Sequence, residues 1–89
     1  MRGNTNLAGP ETIGLRALAF VAADSEALER FLALSGADGM ALRARASDPE
    51  FLSAVLDYLL ANEPLLIAFC KDESLEPREV HLAAARLVG

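Results

Sequence analysis

The chain of 89 residues has one cysteine, one histidine, one tyrosine and no tryptophan. A single cysteine excludes an intramolecular disulfide, and a lone histidine is a poor basis for metal sites, which usually draw on several histidine, cysteine or carboxylate ligands. Runs of β-branched residues that would make strands are almost absent, whereas alanine and leucine are abundant and favour helices. The sequence therefore predicts an all-α fold, a compact bundle of about five to six short helices.

Catalytic motifs are also missing. The chain contains no glycine-rich phosphate loop, no GxSxG, CxxC or HExxH motif, and no twelve-residue calcium loop. His81 has no evident ligand or proton-transfer partner, and Cys70 occupies a core-like position beside Phe69, which predicts a buried thiol with a raised pKa and low reactivity. We predict that the protein is not an enzyme and has no cofactor or metal. A solvated helix end and cap is the interpretation for the acidic residues Asp72, Glu73, Glu76 and Glu79.

Positive charge is scarce, since the formal net charge is -5 and the sequence pI is about 4.7. The average field therefore repels nucleic-acid phosphates and anionic membranes, and we expect neither as a partner. The N-terminal residues MRGNTNLAGP lack the apolar core of a signal peptide. The most apolar stretch is interrupted by Asp57, Asn62, Glu63 and Pro64, well short of the roughly 20 clean residues that a membrane span needs. We expect a soluble cytoplasmic protein.

The most informative stretch is DPEFLSAVLDYLLANEPLLIAFC, residues 48–70. Asp48 is a good N-cap and Pro49 a good first helical residue. Apolar residues then recur at three- and four-residue steps, which predicts a mostly buried helix. Asn62 is predicted to cap a second helix with Pro64 in its first turn. The apolar run that follows covers most of the helix circumference, which indicates a central core helix or one half of a protein–protein interface.

The rest of the chain reads as a flexible tail over residues 1–9 and one helical domain over residues 10–89. Gly14, which lies in the first helix, is expected to allow close backbone approach. A short third helix is predicted to point Met40, Leu42 and Ala46 inward, with Arg43 and Arg45 outward. The other helix boundaries are also predicted from single residues. The first helix begins at Pro10, the second is capped by Asp24 or Ser25 and ends at Gly36, the third is capped by Asp38, and the last has Pro77 in its first turn.

Six predicted helices divide into three before Ser47 and three after it, and a shift of 38 residues lays one set on the other. Identities are few, so the hypothesis of an internal pseudo-repeat depends on the agreement of caps and large apolar positions. If it holds, two three-helix units pack face to face or stack. The aligned pairs include Ile13 and Phe51, Phe20 and Tyr58, Val21 and Leu59, Asp24 and Asn62, Phe31 and Phe69, and Leu42 and Val80.

The run FLALSGADGMALRARASDPEFLSAVLDYLLANEPLLIAFC, residues 31–70, resembles the signature segment of a family of small bacterial proteins classed only as a domain of unknown function. The likeness extends through the last helix. The sequence departs from the family's pattern at Gly39 and Met40, where a proline-initiated helix is expected. The resemblance implies an all-helical fold and brings no activity, cofactor or catalytic residue.

Two functions follow as hypotheses. The first is a protein–protein interaction module, either a homodimer or an adaptor, because the fifth helix is apolar almost all round in a chain too small to bury every such residue. Its predicted surface consists of Leu65, Leu66 and Ile67, with Arg43 and Arg45, joined by Arg30, as a docking spot for an acidic partner. The alternative is a helical pocket protein that holds a small apolar ligand.

Overall fold

A computed structural model describes residues 9–36 and 38–88, with only the backbone of Ala41. This part of the chain forms six α-helices and no strand, which confirms the all-α prediction. The tail predicted over residues 1–9 lies, apart from Gly9, outside the described residues. The helices are α1 (Pro10–Ala22), α2 (Ser25–Ser35), α3 (Gly39–Arg45), α4 (Pro49–Leu60), α5 (Glu63–Glu73) and α6 (Pro77–Val88).

The helix boundaries follow the capping chemistry of the sequence. The side chain of Asp24 accepts hydrogen bonds from the backbone N–H groups of Glu26 and Ala27, at 3.1 and 3.2 Å, so Asp24 and not Ser25 is the cap of α2. Asp48 caps α4 in the same way. Asn62 occupies the N-cap position of α5, but its side chain makes no cap hydrogen bond, so the expected side-chain cap is absent there.

The core is built around α4, which packs on both α6 and α1. These three helices pack extensively on one another, while α2 and α5 pack on them less extensively. α5 is therefore not the central helix, and the prediction that it might be is wrong: it buries one face and leaves the other to solvent. The largest fully buried side chains are Phe31, Phe51, Phe69, Leu52, Leu56, Leu59, Val21, Val55 and Val80.

The pairs α1–α2 and α4–α5 agree with the hypothesised repeat in their turns and C-caps. In the first pair the Asp24 N–H donates to the Val21 carbonyl oxygen at 3.1 Å, and 38 residues later the Asn62 N–H donates to the Leu59 carbonyl oxygen at 3.0 Å. The C-caps also agree, because both α2 and α5 end on a residue in the left-handed conformation. These residues are Gly36, with φ 76°, and Ser74, with φ 57°, again 38 positions apart.

The two units pack face to face with reciprocal aromatic contacts. Phe20 of α1 meets Phe69 of α5 edge to face, with ring centroids 5.5 Å apart. The equivalent residues of the two units make a similar contact. The ring centroids of Tyr58 of α4 and Phe31 of α2 also lie 5.5 Å apart, with the rings tilted. Each unit thus places one ring against the other unit, the arrangement of an approximate two-fold axis. Rings at this spacing contribute about 0.5–1.5 kcal/mol beyond their buried area.

The third helices break this symmetry. α6 has 12 residues and packs extensively on α4, whereas α3 has 7 residues and makes no extensive packing contact within the described region. Accordingly Val80 is buried and its counterpart Leu42 only half-buried. The prediction that Met40 points inward is wrong, since 87% of its surface is exposed. Met40 lies in the first turn of α3, which makes no extensive contact that could cover it.

Candidate functional site

The predicted surface on α5 is divided by the helical turn. Leu66 is buried, with 8% of its surface exposed, whereas Ile67 is 54% exposed and Leu65 is half-buried. Successive residues point about 100° apart around a helix, so three adjacent apolar residues cannot share one environment. Leu66 therefore fixes α5 to the core beside Phe69, and only Leu65 and Ile67 remain for contact with another molecule.

The predicted basic spot is also divided. The Arg45 side chain approaches Asp48 at 3.6 Å and lies over the ring of Phe51, with its guanidinium carbon 4.6 Å from the centroid. This is a structural contact that packs the end of α3 onto α4. Arg30 pairs instead with Glu26 on its own helix, at 3.5 Å. Arg43 is exposed, and within the described residues it makes no ion pair.

A groove that the sequence interpretation missed runs between α1 and α3, and we call it the α1–α3 groove. It consists of two adjoining depressions of about 350 and 390 Å³, both open to solvent and both bordered by Leu15, Arg43 and Ala46. Leu15 is 46% exposed in it. Because Leu15 lies off the buried face of α1, periodicity gave it no role. The walls include Leu15, Leu18, Ala22, Leu42, Arg43 and Ala46.

The two chemically distinctive side chains, Cys70 and His81, lie in different environments. Cys70 is buried, and burial first and the charge of Glu79 second raise the pKa of its thiol above the ordinary value, which keeps the thiol protonated and weakly nucleophilic. His81 is exposed on α6. Among residues 9–36 and 38–88, no group of three or more histidine, cysteine, aspartate or glutamate side chains could hold a metal ion.

The acidic residues at the α5–α6 junction stabilise helix ends. The Glu76 backbone N–H donates to the Glu79 carboxylate at 2.7 Å, which is one half of a capping box at the start of α6. Glu73 receives a hydrogen bond from the Arg16 guanidinium at 2.8 Å, tying the end of α5 to α1. These contacts agree with the interpretation of the cluster as a helix end and cap.

Crossing a membrane requires a helix of sufficient length and apolar composition. In the described part of the chain, no single helix is both long enough and apolar enough to cross a membrane. α4 and α5 meet the criterion only when taken together, and they are bent by 111° at the break between them.

These features define a small all-helical protein of two pseudo-repeated helix pairs, with apolar surface on α5 and in the α1–α3 groove. A family model described as a protein of unknown function, DUF3572, matches residues 8–89. The chain therefore belongs to the DUF3572 family, as the resemblance in residues 31–70 indicated. No curated protein and no solved structure matches it.

Proposed function

We propose that the protein is a protein–protein interaction module, acting as an adaptor or through self-association. The observation that carries the proposal is the exposure of Ile67, 54%, beside half-buried Leu65 on a helix that Leu66 and Phe69 hold firmly to the core. A fixed helix that presents aliphatic side chains offers contact area without a large ordering cost. Other large apolar side chains exposed among the described residues are Leu15, Leu34, Met40, Leu82 and Val88.

The alternative of a small apolar ligand is less well supported. One depression of about 450 Å³ is bordered by Leu34, Tyr58 and Asn62, but it is open to solvent. Good ligand sites bury most of the ligand surface, which an open depression does not do. A thermal-shift screen with fatty acids and aromatic compounds addresses this alternative directly, because a bound ligand raises the melting temperature with concentration.

The interaction proposal is tested by affinity purification of the tagged protein from its native host, with light scattering on the same preparation. We expect a stoichiometric partner or a dimer, and we expect Ile67→Asp to lose it while circular dichroism stays unchanged. Leu66→Asp should instead unfold the domain, because it places a charge in the core. The control is Ala85→Asp, which places the same charge on the exposed side of α6.

A protein that is monomeric and purifies alone, in the unmodified form and in all three variants, contradicts the proposal. Stabilisation by an apolar ligand under the same conditions would then favour the pocket protein.

A further inference from the structure

The two pseudo-repeated units differ most in what covers the first helix of each. Position 15 of α1 corresponds to Ser53 of α4, and Leu18 corresponds to Leu56. On α4 both positions are buried, and the Ser53 hydroxyl donates a hydrogen bond to the Ala84 carbonyl oxygen of α6 at 3.2 Å. On α1 the corresponding Leu15 is 46% exposed and Leu18 is half-buried.

The uncovered surface is therefore the counterpart of a face that already holds a helix. α3 begins 38 residues before α6 but is 7 residues long against 12, and the α1–α3 groove between α1 and this short helix stays open to solvent. In the second unit the packed side of α6 carries small and aliphatic residues at relative positions i, i+3, i+4 and i+7, which are Val80, Ala83, Ala84 and Leu87. Such a face lies within reach of the neighbouring helix along two turns.

We propose that the α1–α3 groove binds an amphipathic α-helix of a partner protein, with small and aliphatic residues at i, i+3, i+4 and i+7 and a carboxylate beside them. The inference rests on the proposed function and adds to the α5 surface a second binding surface with a stated partner chemistry. The helix-in-groove mode uses the same spacing of apolar anchors.

The carboxylate is assigned from the charge of the groove. Arg43 borders both depressions and, within the described residues, makes no ion pair, whereas Arg45, Arg30 and Arg16 are each held by an acidic neighbour. In a chain of net charge -5 an arginine left at the edge of an apolar groove selects an acidic partner group over a basic one. Glu11 borders only one of the two depressions, whereas Arg43 borders both, so we assign the partner's acidic group to Arg43.

The test uses a phage-displayed library of helical peptides of about 14 residues, or four turns, selected against the folded protein. We expect the enriched peptides to carry the i, i+3, i+4, i+7 pattern with a flanking Asp or Glu. Their affinity should fall by about tenfold or more for Leu15→Glu, since tenfold corresponds to the loss of one modest apolar contact. Leu15→Glu and a second variant, Arg43→Glu, change exposed side chains, and urea denaturation checks that each variant remains folded.

A charge swap makes the assignment specific. Arg43→Glu should weaken the selected peptides by about tenfold, and replacing the peptide's acidic residue with Lys should restore binding to that variant only. Arg86→Glu, a reversal on the exposed side of α6, is the matched control and should leave binding unchanged.

Three results would overturn the inference. Peptides that depend on Ile67 instead of Leu15 would place helix binding on α5, and the proposed function would stand without this groove. A dimer that Leu15→Glu dissociates would make a second copy of the chain the occupant. Failure to enrich any peptide sensitive to Leu15 would leave the groove without this role, while co-purification of a partner in the native host would still decide the proposed function.

Discussion

Gly14 of α1 and Leu52 of α4 are equivalent positions in the two pseudo-repeated units, and they lie against each other. A Cβ atom on Gly14 would stand 2.9 Å from the Cβ atom of Leu52. A residue that packs on its own counterpart lies at an approximate two-fold axis, as the reciprocal contacts of Phe20 with Phe69 and Tyr58 with Phe31 also indicate. The close approach of α1 and α4 thus depends on one position that lacks a side chain.

Gly14→Ala is expected to destabilise the protein despite the better helix propensity of alanine. Overpacking lowers the free energy of unfolding by about 1–3 kcal/mol, whereas the higher helix propensity of alanine raises it by about 1 kcal/mol. We therefore expect a net loss of stability of up to about 2 kcal/mol. The control is Gly39→Ala at the start of α3, where an added Cβ has no heavy atom within 4 Å. In urea denaturation, Gly39→Ala should be at least as stable as the parent protein. Equal stabilities for the two variants would show that α1 and α4 separate at no cost.

The Tyr58 hydroxyl joins the two units by a second kind of contact. It donates a hydrogen bond to the Ala27 carbonyl oxygen at 3.2 Å, while its counterpart Phe20 has no hydroxyl. Tyr58→Phe keeps the ring contact with Phe31 and removes only this bond, so the free energy of unfolding should fall by about 0.5–1.5 kcal/mol. Tyr58→Leu, which also removes the aromatic ring, should lower the free energy of unfolding further. If Tyr58→Phe unfolds at the same urea concentration as the parent, the hydroxyl contributes nothing to the packing of the units.

The sequence predicted the elements of this fold better than their arrangement. Asp24, Asp48 and the first-turn prolines mark helix starts because capping depends on residues adjacent in the chain. Periodicity identified apolar faces but not what covers them, so α5 was interpreted as a candidate for the centre when α4 occupies it. For the same reason Met40 was expected inside the protein and is exposed.

The candidate surfaces were predicted less completely. The α5 side chains were found from composition alone, but the buried position of Leu66 between Leu65 and Ile67 depends on the angle at which α5 meets the core. Leu15 was not singled out because it lies off the buried face of α1, and periodicity identifies only that face. The 38-residue alignment did contain a signal, since it sets an apolar Leu15 against the polar Ser53.

The left-handed C-caps at Gly36 and Ser74 give opposite predictions for one pair of substitutions. An L-residue in this conformation costs roughly 1–2 kcal/mol relative to glycine, less for residues that bond locally. Ser74→Gly, at φ 57°, should therefore stabilise the protein by about 0.5–1 kcal/mol, and Gly36→Ser, at φ 76°, should destabilise it by a similar amount. Thermal denaturation of the two variants and of the double exchange measures both effects. Changes of the same sign would contradict the equivalence of the two caps.

Cys70 makes stability depend on pH in the alkaline range. Burial and then the charge of Glu79 raise the pKa of its thiol, so in the folded state the proton is held to a higher pH than in the unfolded state. The associated stability is complete below the unfolded pKa of about 8.5 and is lost as the pH rises towards the folded pKa. Between about pH 8 and about pH 10, the free energy of unfolding should fall more steeply for the parent protein than for Cys70→Ala. The comparison uses slopes, because Cys70→Ala also lowers the absolute stability by leaving a small cavity. Parallel pH dependences would mean that the thiol ionises as readily in the folded protein as in the unfolded chain.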